Sequence, residues 1–484
     1  MNRANGINLT MLCDFYELTM GNGYIADGMK DRICYFDVFF RDVPDQGGYA
    51  VAAGLEAIVD YVQNLRFTDE DIAYLRGRGI FREDFLDYLR TFQFTGDIWA
   101  IPEGTPIFPM EPVITVRAPA IQAQLLETYM LLEFNHQSMI ATKASRICRA
   151  AAGRAVLEFG SRRAQGIAAA VTGARAAFIG GCAGTACTVS DQIYGVPAAG
   201  TMAHSWVQMF DTELDAFLSY CRTYPNNAVL LVDTFNTLKS GVPNAIRAFN
   251  EVLKPLGITK CGIRLDSGDM AYLTQKARKM LDEAGWPGCT ITVSNSLDER
   301  LIADIIQQGA KIDSFGVGER LITSKSSPVF GGVYKLCAVE QADGSILPKI
   351  KVSENPGKIT NPGFKKVYRF FNRETGMAEA DYICLRGEVV DDSQPLEICD
   401  PNERWKRKTM ENFRAVELQV PVFLGGELVY ELPTLKQIKT DCAYQISTLW
   451  PEVKRFDNPH KYYVDLSPKL MALKDGMLEA HGRR

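Results

Sequence analysis

Between residues 155 and 318, seven short apolar runs recur about every 20 to 30 residues, each ending in polar or glycine residues. They are 155–159 before Gly160-Ser161-Arg162-Arg163, 176–179 before Gly180-Gly181-Cys182, 196–199 before the stretch around His204, and 228–232 before Asp233-Thr234. The last three are 261–263 before Arg264-Leu265-Asp266, 290–293 before Ser294-Asn295, and 312–315 before Gly316-Val317-Gly318. Helical stretches at 244–253, 272–284 and 297–308 lie between them, so the texture is that of βα units. Strands that are apolar along most of their length are buried on both faces, as parallel sheets require. Seven such units predict an α/β chain whose parallel strands close into a barrel. In a barrel the residues just after each strand meet at one mouth, where sites are built. Arg162, His204, Asp233, Arg264, Asp266, Ser294 and Gly318 are therefore expected to converge. Each alone also reads as a helix cap or a solvated charge. Seven at one rim are harder to assign that way.

The flanks have a different texture. Length alone, 484 residues, predicts two or three domains. The first 150 residues mix helix and strand without a clean repeat. A helix is expected around 12–20, a strand at 33–41, an amphipathic helix at 55–65 and short acidic helices over 69–93. Strand-like runs broken by prolines fill 95–119, and long helical periodicity fills 121–151. After residue 336 the βα texture stops. Strand-like runs follow at 367–371, 382–385 and 389–390, and the last 30 residues read as helical, ending in a frayed Gly482-Arg483-Arg484.

Composition excludes several classes. A net charge of −5 with 23% charged residues argues against a polyanion-binding surface, so no nucleic-acid partner is expected. No apolar run is long enough to span a membrane. Residues 1–10 are polar and lack the apolar core of a secretion signal. The twelve cysteines are scattered without a C-x-x-C, and Cys34, Cys187, Cys337 and Cys384 sit in apolar surroundings. They read as reduced thiols of a cytoplasmic protein, and a structural zinc site is not expected.

The rim residues suggest a chemistry. His204, one of four histidines, stands between a small apolar run and an expected helix over 205–221, where free N–H groups attract anions. A packed, hydrogen-bonded histidine at a turn would look the same. Arg162, Arg264 and the glycine-flanked backbone at 316–318 suit phosphate oxygens. Asp233 and Asp266 suit ribose hydroxyls or a magnesium ion carried on substrate phosphates. The Asp266-Ser267-Gly268-Asp269 turn also offers caps to the next helix. His204 could act as general base, hydrogen-bond donor or nucleophile toward a phosphoryl group, and the residues alone do not choose. There is no G-x-x-x-x-G-K-[ST], no Gly-x-Ser-x-Gly and no His-Glu-x-x-His.

Five segments in order carry a resemblance: Asp14-Phe15-Tyr16-Glu17-Leu18-Thr19-Met20, Glu158-Phe159-Gly160-Ser161-Arg162-Arg163, Ala203-His204-Ser205, Arg264-Leu265-Asp266-Ser267-Gly268-Asp269 and Phe315-Gly316-Val317-Gly318. Together they resemble nicotinate phosphoribosyltransferase, over about residues 8–370. The resemblance implies an irregular seven-stranded βα barrel at 151–335. A discontinuous α/β sandwich domain would form from 1–150 and 336–450, followed by a helical tail at 451–484. It implies an ATP-dependent ligase of NAD salvage, a cytoplasmic homodimer. Nicotinate, phosphoribosyl pyrophosphate and ATP would give nicotinate mononucleotide, pyrophosphate, ADP and phosphate, with Mg2+ and a transient phosphohistidine.

Carried onto this chain, the phosphorylated histidine is His204. Phe159 stacks one face of the pyridine ring, and Tyr16 reaches across from the partner subunit to stack the other. Arg162 lies by the ring and the ribosyl phosphates, and Arg264 and Asp266 hold phosphate and ribose. Ser294, Asn295, Gly316 and Gly318 line the 5′-phosphate pocket. The resemblance leaves the metal ligands undefined. The related enzyme that uses nicotinamide carries an aspartate soon after its second barrel strand. Here an uncharged Cys182 is expected at that place, which favours a carboxylate ring substituent. The alternatives are a nicotinamide or quinolinate phosphoribosyltransferase, or a non-catalytic phosphosugar-binding protein on the same fold.

Overall fold

The computed structural model describes residues 3–4 and 7–482. Arg483 and Arg484, expected to fray, lie outside the described residues. The chain divides into two compact units, Met1–Met139 with Val329–Arg484, and Ile140–Pro328.

The second unit holds a six-stranded parallel sheet. Its strands in chain order are β1 (Ala155–Glu158), β2 (Gly184–Thr185), β3 (Val229–Leu231), β4 (Gly262–Leu265), β5 (Thr290–Ser294) and β6 (Ser314–Val317). The spatial order is β3-β4-β5-β6-β1-β2, every neighbour parallel. The strands form where β-branched and aromatic residues concentrate. Leu230, Ile263, Leu265, Ile291, Val293, Phe315 and Val317 are all fully buried, which is what parallel strands covered on both faces require. Two of the intervening helices start on aspartate side-chain caps. Asp269 accepts from the Tyr272 N–H to open Met270–Glu283, and Asp298 accepts from the Leu301 N–H to open Glu299–Gln307.

Four expectations in this unit differ from the structure. Residues 176–179 are not a strand; they end the helix Ile167–Ile179. That segment is alanine-rich and has little β-branching, so helix propensity prevails. The second strand is the two-residue β2, too short to show as an apolar run. Residues 196–199 make only a bridge, Ala198 beside Thr185, where Pro197 has no N–H to extend a ladder. The stretch 205–221 is two helices, His204–Gln208 and Glu213–Thr223, the second opened by Thr212 capping the Asp215 N–H. The last strand also begins two residues later than expected, at Ser314.

In the first unit, N- and C-terminal segments share one antiparallel sheet. Ile33–Phe39 lies between Val333–Glu340 and Ile114–Pro119, with Asp97–Ala100 and Val420–Leu424 beyond. A second sheet pairs Lys365–Asn372 with Ala378–Leu385 and Phe413–Glu417, and Val464–Leu466 joins parallel. Residues 389–390 are not strand: Val389 is 86% exposed in a loop, with no sheet neighbour to hold it. The tail becomes helical only from Pro468, over Pro468–Gly482. No helix among the described residues is long and apolar enough to cross a membrane. All twelve cysteines are free thiols.

Candidate active site at the strand ends

The C-terminal ends of β1, β4, β5 and β6 are joined by direct contacts. Arg264, in β4, is the hub. Its Nε donates to Ser294 Oγ at 2.9 Å and its Nη2 to Asp266 Oδ1 at 3.1 Å. Its Nη1 reaches Thr201 Oγ1 at 3.3 Å and the Met202 carbonyl at 3.4 Å, in the loop leading to His204. Ser294 Oγ also donates to Asp266 Oδ1. A guanidinium held at both ends is fixed in direction, with one Nη2 N–H left to meet an oxyanion. Its Cζ lies 5.7 Å from the centroid of the Phe159 ring.

Phe159 lies along the sheet because residue 316 is glycine. A Cβ on Gly316 would stand 2.4 Å from Phe159 Cδ2, so any side chain there would displace the ring. Gly318 is less tight, with a Cβ position 3.1 Å from the Phe159 carbonyl that a shift of a few tenths of an ångström would relieve. The structure thus gives both glycines a packing reason beside the phosphate role expected of them. The Phe159 N–H donates to the Val317 carbonyl at 2.8 Å, which extends the β1–β6 ladder to the ring.

His204 is the first residue of its short helix, and its side chain is 40% exposed. Its Nδ1 is 3.2 Å from Thr234 Oγ1, and its Nε2 is 4.0 Å from Asp233 Oδ1. The Asp233 side chain is 1% exposed. Asp233 Oδ2 accepts from the Asp266 N–H at 2.8 Å and from Ser267 Oγ at 2.6 Å. Its Oδ1 is buried without a hydrogen-bond partner. A buried carboxylate oxygen left open is costly, so a donor facing it has a defined task. Nε2 of His204 faces it at 4.0 Å, beyond hydrogen-bond distance. Asp269 acts as the helix cap and Asp266 pairs with Arg264, so the capping expected of the acidic turn falls to Asp269.

Three of the expected residues stand apart from this network. Arg162 is exposed in the short turn Ser161–Arg163 and makes no hydrogen bond or ion pair among the described residues. Asn295 is exposed after β5; it and Ser296 both have positive φ, 94° and 48°. Such strain in non-glycine residues recurs where backbone is held to a ligand. Tyr16 lies in the first unit on the helix Phe15–Ala26, 42% exposed. Burial of its hydroxyl and the neighbouring Glu127 carboxylate push its phenol up.

Four contributing residues, Thr201, Thr234, Glu158 and Thr185, were given no role by the sequence. Thr201 and Thr234 contact Arg264 and His204, and hydroxyls next to charged motifs are too common to single out. Glu158 is fully buried at the end of β1. It accepts from Thr185 Oγ1 at 2.6 Å and from the Gly160 N–H, bracing the Phe159 turn against β2. Burial pushes its carboxyl up, and those two donors oppose the shift. Cys182 is corrected: it precedes β2 and is wholly buried. The residue directly after the second strand is Ala186, exposed and also uncharged, its N–H on the Glu158 carbonyl at 2.8 Å.

Among the described residues no three His, Cys, Asp or Glu side chains cluster as a metal cage. Magnesium needs only one or two carboxylates when phosphates and water complete its shell. Asp266 fits that demand: its side chain is 33% exposed, and its Oδ2 takes no hydrogen bond among the described residues.

Comparison with known proteins gives a consistent result. The nicotinate phosphoribosyltransferase N-terminal domain matches residues 11–135, the nicotinate phosphoribosyltransferase family model residues 155–343, and the C-terminal domain residues 364–474. A nicotinate phosphoribosyltransferase of Bacillus subtilis is 44% identical over 95% of this chain and 93% of its own length. The Homo sapiens nicotinate phosphoribosyltransferase is 30% identical, covering 96% of each. The crystal structure of human nicotinic acid phosphoribosyltransferase superposes with a TM-score of 0.85, covering 96% of this chain and all of that one.

Proposed function

The chain belongs to the nicotinate phosphoribosyltransferase family, and we propose that the network around Arg264 and His204 is where it works. It is an enzyme that transfers a phosphoribosyl group to nicotinate, a step of NAD biosynthesis. The reaction forms a bond from the pyridine nitrogen to C1′ of phosphoribosyl pyrophosphate and breaks the C1′–O bond to pyrophosphate.

In this reading Phe159 is the apolar shelf for the pyridine ring. Arg162, exposed and unpaired among the described residues, receives the ring carboxylate. Ala186 after β2 leaves that carboxylate unopposed, where an aspartate would favour an amide. Arg264, fixed by Ser294 and Asp266, stabilises charge on the phosphates as pyrophosphate departs. Asp266 would face ribose and would hold Mg2+ when substrate phosphates are bound, and that ion would supply positive charge beside the departing pyrophosphate. Ser294, Asn295, Gly316 and Gly318 line the 5′-phosphate pocket.

His204 takes a phosphoryl group from ATP. The observation that carries this role is the orphaned Asp233 Oδ1 facing Nε2. A proton on Nε2 turned toward that carboxylate leaves the Nδ1 lone pair, met at rest by the Thr234 hydroxyl, to attack phosphorus once that hydroxyl turns to the incoming phosphate, with ADP leaving. The resulting cationic imidazole is stabilised by Asp233, and the Thr234 hydroxyl donates to the transferred group. Hydrolysis then returns neutral His204 and phosphate.

The strand order supports a barrel. Read from β1, it follows the chain around to β6, which pairs back onto β1. Residues 196–199, bridged to β2, would be the seventh strand, closing the seam to β3. We read the first unit as the sandwich domain and the assembly as a homodimer in which Tyr16 of one copy covers Phe159 of the other. Free thiols throughout suit a cytoplasmic location. The test is product formation from nicotinate, nicotinamide and quinolinate, each with and without ATP. Nicotinate alone should be turned over efficiently, with ATP raising the yield. Equal rates with nicotinamide, or indifference to ATP, would overturn the assignment of Ala186 and His204 respectively.

A further inference from the structure

Cys148 and Cys182 hold their sulfurs 3.9 Å apart. Cys148 is in the last turn of the helix Glu127–Ala150 and is partly exposed; Cys182 is wholly buried. The backbones are equally close. A Cβ on Gly180 would stand 2.3 Å from the Ala141 carbonyl and 2.7 Å from Ala144 Cβ. A Cβ on Gly181, at φ 119°, would stand 3.2 Å from Cys148 Cβ. The glycine pair therefore lets the loop lie flush on the helix, which brings the two sulfurs close enough that a bond of about 2.0 Å needs the Cys182 loop to draw only a little further toward the helix. The other neighbouring thiols differ: Cys261 and Cys289 are both buried, and contact with Cys261 together with burial pushes the Cys289 thiol far up, so that pair is inert.

Cys182 leads directly into β2, and that connection gives the pair a consequence. The Ala183 N–H donates to the Val156 carbonyl at 2.7 Å, and Gly184–Thr185 then pairs with Leu157 and Glu158. Thr185 Oγ1 holds Glu158, whose carboxylate braces the turn carrying Phe159. Drawing Cys182 toward the helix pulls on the strand that supports the aromatic shelf.

We propose that Cys148 and Cys182 form a reversible disulfide site that controls the Phe159 shelf. With a peroxide as oxidant, the accessible Cys148 sulfur attacks one peroxide oxygen, giving a sulfenic acid and water. The Cys182 sulfur then attacks the Cys148 sulfur and expels the second oxygen as water. Two thiols lose two electrons and two protons, and one peroxide becomes two waters. A dithiol reductant reverses the bond by exchange.

The test uses the full-length protein with hydrogen peroxide, followed by alkylation, intact mass and peptide mapping. The expected result is loss of two hydrogens and a Cys148–Cys182 cross-linked peptide that dithiothreitol abolishes. The oxidised protein should show a severalfold higher KM for nicotinate, with KM for phosphoribosyl pyrophosphate unchanged. Cys148→Ser should lose both the cross-link and the KM shift, and Cys182→Ala should do the same. Recovery of Cys148 as a sulfinic acid with Cys182 still alkylatable, or a cross-link without a KM change, would overturn the proposal. The KM arm rests on the functional reading above. The mass arm does not: a reduced enzyme inert toward nicotinate would refute that reading and leave the cross-link to be judged by mass alone.

Discussion

Arg369 and Asp381, in the antiparallel unit, are 1% and 0% exposed, whereas Arg264 and Asp266, at the strand ends of the parallel unit, are 16% and 33% exposed. The first pair is closed on itself. Arg369 Nε and Nη2 meet both Asp381 oxygens at 2.8 and 2.6 Å, and Tyr462 Oη donates to Asp381 as well. Lys365 and Asp37 make a second buried pair at 2.8 Å. Arg369 and Asp381 face each other on paired strands of one sheet, Lys365–Asp37 joins that sheet to the other, and neither pair has capacity left for a ligand. The strand-end network is built from the same residue types but is left open, with Asp233 Oδ1 unpartnered and one Asp266 oxygen free. Charge satisfied within the chain fixes the fold, and charge left open toward solvent is available for chemistry.

The contrast can be broken by substitution. The largest effect is expected at the closed pair: Arg369→Ala strands a buried carboxylate and should lower stability by about 3–5 kcal/mol in denaturant unfolding. Any enzyme that remains folded should keep its KM values. Arg264→Ala should do the reverse, lowering kcat/KM about 100-fold while unfolding shifts by less than about 1 kcal/mol. A large stability loss there would place Arg264 among the structural pairs.

Thr234→Val, which removes one hydroxyl from His204, should slow ATP-coupled turnover about tenfold, the scale of one hydrogen bond. Its ATP-independent rate should stay near that of the unaltered enzyme. The smallest effect concerns Glu17, which receives hydrogen bonds from Thr128 and Asp14. Burial raises its carboxyl to about 7. Because the folded value lies above the unfolded one, its contribution is fully present below pH about 4.5 and is lost as pH rises through about 7. Glu17→Gln should flatten that part of a melting-temperature profile by a few degrees.

How much of the molecule was legible in the sequence depends on the same physics. Strands with buried β-branched residues, such as β4 and β5, were visible because burial on both faces leaves a continuous apolar run. Residues 176–179 misled because an apolar run of alanine serves a buried helix as well as a strand. Strand β2 was invisible because two residues carry no pattern. At the site, Asp266 and Asp233 were legible from their place after strands, and Arg264 and Ser294, expected just after strands, lie in the last residues of theirs. Thr201, Thr234, Glu158 and Thr185 were not, since their roles come from folded proximity across up to 63 residues of chain.

The central claim is that the open carboxylate of Asp233 prepares His204 to carry phosphate. Labelling the protein with ATP carrying ³²P on its γ-phosphate and following loss of label in acid and in alkali tests this most directly. The account predicts label on the peptide containing His204, lost in acid, stable in alkali, and absent from His204→Ala. Acid-stable label, or label retained in that variant, would contradict it.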